Sequence, residues 1–181
     1  MPRYYRRRYT RVVKPKKKWA SNIYPLSTES ISIGNWQYID KTTLVENSIQ
    51  SGAPTPVILK AGNFKTQLDF TYILNGSSSL EISAFIIYIP EGTEPTTYSD
   101  AQILVQRHPE WIMAWKYASM DYATSNVSSG TETINFSTRM KRNLNSGDKV
   151  MLLIMACTSS SNVNITAFRM GGLSQYWTCA N

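Results

Sequence analysis

Between Phe64 and Tyr72 the residues alternate in character: Phe64, Leu68, Phe70 and Tyr72 share one side of an extended backbone, and Lys65, Gln67 and Asp69 share the other. Side chains two residues apart lie on one face of a strand, so this segment predicts a half-buried β-strand. Turn chemistry follows in Asn75-Gly76-Ser77-Ser78-Ser79. Leu80 to Ile89 (LEISAFIIYI) then begins by alternating and becomes apolar on both faces before Pro90 stops it, the pattern of a central strand. Further strands are expected over Ser30 to Asp40, Trp111 to Tyr117, Thr131 to Lys141, Lys149 to Thr158 and Asn162 to Trp177, with polar loops such as PEGTEPTTYSD and ATSNVSSG between them. No stretch reads as an amphipathic helix of three turns. Short strands joined by long polar connections predict an all-β antiparallel sandwich, and at this size the eight-stranded jelly roll is the common form.

Charge divides the chain unevenly. The first eighteen residues, MPRYYRRRYTRVVKPKKK, carry nine of the nineteen Lys and Arg, and no Asp or Glu precedes Glu29. Residues 19–181 hold ten basic and twelve acidic side chains, so the body is nearly neutral and the arm is a polycation. Like charges repel, and the arm has little apolar surface to offset backbone entropy. It is therefore expected to be a disordered segment whose natural partner is a polyanion. The predicted division is a basic nucleic-acid-binding arm over 1–20 and a jelly-roll domain over 21–181.

Within the arm, Arg3, Arg6, Arg7, Arg8 and Arg11 come first, and Lys14, Lys16, Lys17 and Lys18 follow. Guanidiniums suit bidentate phosphate contacts, and ammoniums supply mobile charge. Tyr4, Tyr5, Tyr9 and Trp19 are interleaved with these cations, and aromatic faces stack on unpaired bases, which favours single-stranded nucleic acid. Lys14, Lys16, Lys17 and Lys18 also have the composition of a nuclear-localisation signal read by an import receptor. A membrane anchor is disfavoured: Pro2 stands where myristoylation needs glycine, and Pro15 interrupts any amphipathic helix.

In the body, Arg139, Lys141 and Arg142 form the one basic cluster. With Ile134, Phe136 and Met140 on one face of the strand, Arg139 and Lys141 fall on the other, where both can meet phosphate. A solvated strand face or an inter-subunit ion pair is the competing account. Gly147, in Asn143 to Asp148, is expected to supply a turn conformation that other residues disfavour, and Gly171-Gly172 a bulge in the last strand. Trp111, Trp115, Tyr117, Tyr122, Tyr176 and Trp177 are divided between core and interface.

Catalysis finds no support. His108 is the single histidine and has no partners for base or metal chemistry near it in the sequence. There is no Walker A loop, GxSxG, HExxH or close carboxylate pair, so no enzyme, metal or cofactor is expected. Cys157 and Cys179 are the only cysteines and read as buried thiols. No apolar h-region follows the basic block, and Val150 to Cys157 is too short to span a bilayer, so synthesis in the cytosol is expected.

Three phrases narrow the reading. His108-Pro109-Glu110-Trp111-Ile112-Met113-Ala114-Trp115-Lys116, the run Phe136 to Lys149 (FSTRMKRNLNSGDK) and the ending Gln175-Tyr176-Trp177-Thr178-Cys179-Ala180-Asn181, together with the arm, resemble capsid proteins of circovirus-like, Rep-encoding single-stranded DNA viruses. The resemblance implies an eight-stranded jelly roll, about sixty copies closed into an icosahedral shell, and a basic amino terminus facing a packaged single-stranded DNA genome. It also implies residence in the virion, with assembly in the host nucleus. Two readings from other classes stand beside it: a monomeric cellular nucleic-acid-binding β-domain with a basic extension, and a carbohydrate-binding sandwich with an incidental tail.

Overall fold

The computed structural model describes residues 18–28, 31–33, 37–48, 58–74, 78–122, 128–158 and 165–180. Among the described residues there are ten strands: β1 (Ala20–Ser27), β2 (Ile31–Ile33), β3 (Gln37–Glu46), β4 (Leu59–Leu74), β5 (Ser78–Ile89), β6 (Ile112–Tyr122), β7 (Ser128–Ser137), β8 (Lys141–Leu144), β9 (Lys149–Thr158) and β10 (Ile165–Ala180). Helix α1 (Tyr98–Arg107) and a 3-10 turn (Pro109–Trp111) lie between β5 and β6. The first sheet has the order β1-β10-β4-β7, with β2 extending the β1 edge along β10 and β8 extending the β7 edge along β4. The second sheet has the order β3-β9-β5-β6, and the pairings within both sheets are antiparallel.

Lettering the eight long strands B to I along the chain turns these orders into B-I-D-G and C-H-E-F. That interleaving of early and late strands in two facing sheets is the jelly roll. The expected fold class is therefore the one observed.

The alternation around Phe64 operates as expected. Phe64, Leu68, Phe70 and Tyr72 are fully buried between the sheets, where Leu80, Ile82 and Ile86 of β5, Leu152 and Ile154 of β9 and Phe168 of β10 meet them. Each such side chain stabilises the fold by about 1.5–3 kcal/mol. Polar groups on that inner face pair with each other, as where the Thr66 and Ser174 hydroxyls lie 2.9 Å apart. The central strands β5 and β9 are buried on both faces because α1 covers the side that the first sheet does not. Ile87, Ile89, Met151, Leu153 and Met155 form a second apolar cluster with Ala101 and Leu104 of the helix.

Several expectations need correction. Helix α1 occupies a segment whose start lies in the expected loop PEGTEPTTYSD. A capping box begins it: Asp100 N–H donates to Thr97 Oγ1 (3.1 Å), and Thr97 N–H donates to the Asp100 carboxylate (2.9 Å). Strand β1 was not anticipated and starts at Ala20, inside the expected arm boundary. The strand expected over Ser30 to Asp40 divides into β2 and β3, and Trp111 falls in the 3-10 turn rather than in β6. The strand expected over Thr131 to Lys141 is broken. β7 ends at Ser137 and β8 begins at Lys141, because β4 jogs at Asn63, whose φ of 55° takes it out of the extended region. Thr138 N–H donates to the Phe64 carbonyl on one side of the jog and Asn63 N–H donates to the Met140 carbonyl on the other. Met140 consequently points outward, 45% exposed, instead of continuing the buried row of Ile134 and Phe136.

The two glycine sites singled out from the sequence differ from each other. Gly147 adopts φ 84° in the turn before β9, as expected. Gly171 and Gly172 do not make a bulge: both stay in register with β1 and β4, and the irregularity in β10 falls between Gln175 and Trp177. Glycine is needed at 172 because a Cβ there would lie 2.2 Å from the Gln67 carbonyl oxygen.

Candidate nucleic-acid interface

Of the predicted phosphate-binding residues, Arg3, Arg6, Arg7, Arg8, Arg11, Lys14, Lys16 and Lys17 lie outside the described residues, as does all of the expected localisation signal except Lys18. Lys18 is exposed and is followed by Trp19 and the first residue of β1. Because β1 pairs with β10 from Ala20↔Thr178 onward, the point at which the arm joins the body is held at one end of the first sheet. Arg139 is exposed in the link between β7 and β8, and Lys141 is exposed at the start of β8. With the strand broken, these two cations are not neighbours on one strand face.

Lys141 instead joins a row that runs across the sheet. Paired residues on adjacent strands share a face. Ser21, Trp177, Gly62 and Lys141 follow one another across β1, β10, β4 and β8. The next row is Ile23, Gln175, Lys65 and Ser137, and the one after it is Pro25, Leu173, Gln67 and Asn135. These rows occupy the outward face, since Phe64, Thr66 and Leu68 of β4 point inward. A Cβ on Gly62 would lie 2.6 Å from Lys141 Cγ, so the missing side chain leaves the path that Lys141 takes along the sheet.

Two ammonium groups meet two indoles on this face. Lys141 Nζ lies 5.2 Å from the Trp19 ring centroid, and Lys65 Nζ lies 5.8 Å from that of Trp177. Both rings are half-buried, and both lysines are exposed. Beside them an open concavity of about 440 Å³ is lined by Ile23, Lys65, Gln67, Asn135, Leu173 and Gln175 among others. One row further on, Asp69, paired with Gly171 and Thr133, accepts hydrogen bonds from Thr133 Oγ1 (2.7 Å) and Gln67 Nε2 (3.2 Å).

The third member of the basic cluster has a different job. Arg142 is half-buried, donates to the Glu110 carbonyl and places its guanidinium 5.5 Å from the Tyr88 ring centroid. Burial and the adjoining Asp148 carboxylate push the Tyr88 hydroxyl up to about 12. His108 stacks on Trp111 with centroids 3.9 Å apart, and its Nδ1 lies 3.1 Å from Glu110, a surface contact at the end of α1. Tyr176 stacks on Phe64 at 5.5 Å and faces the core, whereas Trp115 and Tyr117 are exposed on β6; Tyr122's side chain lies outside the described residues. Cys157 and Cys179 are both buried, and burial with the nearby Glu81 raises Cys157 to about 11.

No family model and no curated protein sequence matches this chain. Among solved structures, 88% of the chain is similar to 40% of a chain in the structure of infectious bursal disease virus, Gx strain (6% identity, TM-score 0.35). The VP2 subviral particle of infectious bursal disease virus is similar over 87% of this chain and 32% of its own (11% identity, TM-score 0.32). VP1 of the trichodysplasia spinulosa-associated polyomavirus in complex with 3'-sialyllactose is similar over 94% and 97% (9% identity, TM-score 0.21). The chain thus spans about 40% of the length of the first of these. Its jelly-roll assignment rests on its own strand order.

Lys65, Trp177 and Gly62 were not singled out as phosphate or base contacts from sequence. The legible signal was the period-two reading of β10 and β4, which puts Leu173 and Gln175 outward with Lys65 and Gln67. The pairing of the two strands was needed to bring them together.

Proposed function

We propose that this chain is a viral capsid protein of the circovirus-like kind, in which copies of the jelly roll close into a small icosahedral shell and the basic arm condenses a single-stranded DNA genome. The observation that carries this reading is the attachment of a nine-cation segment directly to β1, the edge of a B-I-D-G sheet. A nearly neutral body that packs beside its copies and a polycation tethered at one end of a sheet divide the work of assembly and packaging. About sixty arms, on the resemblance, would bring on the order of 540 positive charges to the genome, so packaging works by charge neutralisation and by mass action of many subunits. Exposed Trp115 and Tyr117 supply apolar area for subunit contacts. Lys14, Lys16, Lys17 and Lys18 serve nuclear import before assembly.

Electron microscopy of the purified full chain, with its absorbance ratio at 260 and 280 nm, tests the reading. Closed particles containing nucleic acid are expected, and a monomer that binds nucleic acid without forming particles would overturn it. On single strands log K falls with log salt by about 0.7 per neutralised phosphate, so replacing Arg6, Arg7 and Arg8 together flattens the slope by roughly 2. Replacing Arg139 alone, at the exposed link, changes it by less than about 1.

A further inference from the structure

We propose that the outward face of the first sheet, beside the root of the arm, is a second nucleic-acid site that takes unpaired nucleotides, with a base stacked on Trp177 or Trp19 and the phosphates held by Lys65 and Lys141. The proposal rests on the packaging reading and adds to it a contact that recognises bases, which charge neutralisation by the arm does not require.

The composition of the face argues for nucleotides. Two indoles and two ammoniums stand on the same side of one sheet, each ammonium within reach of a ring at 5.2 or 5.8 Å. An exposed cation–π contact is weaker than a base stacked on an aromatic ring, so an incoming base displaces the ammonium from the ring and leaves it beside the phosphate. A neutral sugar would use the indoles but has no use for the cations. The concavity of about 440 Å³ in the adjoining rows is of a size for a small ligand, and the Gln67, Asn135 and Gln175 amides on its walls match the donors and acceptors of a base edge. Gly62, paired with both Trp177 and Lys141, leaves room for the Lys141 stem to cross it and reach this face.

Position argues the same way. Lys18 and Trp19 lead straight from the arm into β1 at this end of the sheet. A strand held by the arm is thereby presented to the face at high effective concentration, so a contact too weak to act alone is still occupied.

The test compares the full chain with its variants on a short oligothymidylate and on an abasic polymer of equal length and charge. The intact protein is expected to bind the base-bearing strand roughly five- to tenfold more tightly, and Trp177→Ala with Trp19→Ala to bring that ratio close to one while leaving the abasic affinity in place. Trp177→Phe should retain most of the preference. Lys65→Gln should flatten the salt slope on both polymers by about 0.7. A base preference unchanged by the tryptophan substitutions, as the arm tyrosines would give, overturns the proposal, as does equal binding of both polymers by the intact protein. Those results leave the packaging reading standing, whereas failure of the intact protein to bind either polymer would remove both. A double variant that loses abasic binding as well has lost its fold, and Trp177→Phe and Lys65→Gln then decide.

Discussion

The Tyr88 hydroxyl donates to Asp148 Oδ2 at 2.8 Å, joining the end of β5 to the turn that starts β9. The same buried carboxylate accepts from the Asn145 (2.9 Å) and Glu91 (3.2 Å) backbone N–H groups, so one side chain ties three segments together. Hydrogen bonds to a charged acceptor are among the stronger ones, and removing the acceptor strands its donors. Asp148→Ala is expected to lower stability by about 2–4 kcal/mol in urea unfolding. Asp148→Asn, which keeps one acceptor oxygen, should cost less, and equal losses from the two would show that the carboxylate has no special part.

Alkaline pH should destabilise the body. Tyr38 and Tyr88 are pushed up to about 12 from 10.0 and Cys157 to about 11 from 9.0, in each case chiefly by burial. The folded state then holds protons that the unfolded chain releases. Stability is fully present below pH 9 and is lost as pH rises through 11 to 12. Urea midpoints should fall steadily across that range, and Cys157 should resist thiol reagents at pH 8. A midpoint that does not move above pH 9 contradicts this.

The start of α1 has its own signature. Thr97→Ala removes the cap that accepts from Asp100 N–H and should cost about 1 kcal/mol. Hydrogen bonds from Thr96 and Thr97 hold the Asp100 carboxyl at about 2, below its ordinary 3.8. The depressed value contributes stability above pH 3.8 that is lost as pH falls through about 2. The protection factor of the Ala101 amide, whose N–H donates to the Thr97 carbonyl, should therefore fall in the variant and, measured against the intrinsic exchange rate at each pH, at low pH.

Gly172→Ala should be far more damaging than Gly92→Ala. The first places a Cβ against the backbone carbonyl of Gln67, where neither strand can yield without breaking the β4–β10 ladder. Gly92 has open space around it and carries only the strain of φ 78°. A loss above about 3 kcal/mol for the first and near 1 for the second is expected in thermal unfolding.

Local chemistry alone determined a good deal of this protein. A period of two places Phe64, Leu68, Phe70 and Tyr72 in a core whatever their partners are, because a strand offers only two faces. The run LEISAFIIYI, apolar on both sides, marks from its own residues a strand that must be covered on both faces, and Gly147 marks a turn through its freedom at positive φ. Helix α1 escaped the periodic reading because few of its residues, such as Ala101 and Leu104, face the second sheet, although Thr97 and Asp100 already spelled its cap.

Tertiary structure alone decided what lies beside what. Sheet pairing joins residues distant in the chain, and its register depends on the packing of the whole sandwich rather than on any one strand. The bulge at Asn63 could not be read from an Asn between Gly62 and Phe64, yet it breaks the expected strand at 138–140 and sends Met140 outward. The same jog separates Lys141 from Arg139 and sets it across Gly62 towards Trp19, while Arg142 turns inward to Tyr88. Three consecutive-looking cations therefore have three environments, because backbone hydrogen bonding across the sheet, and not spacing along the chain, orients each side chain.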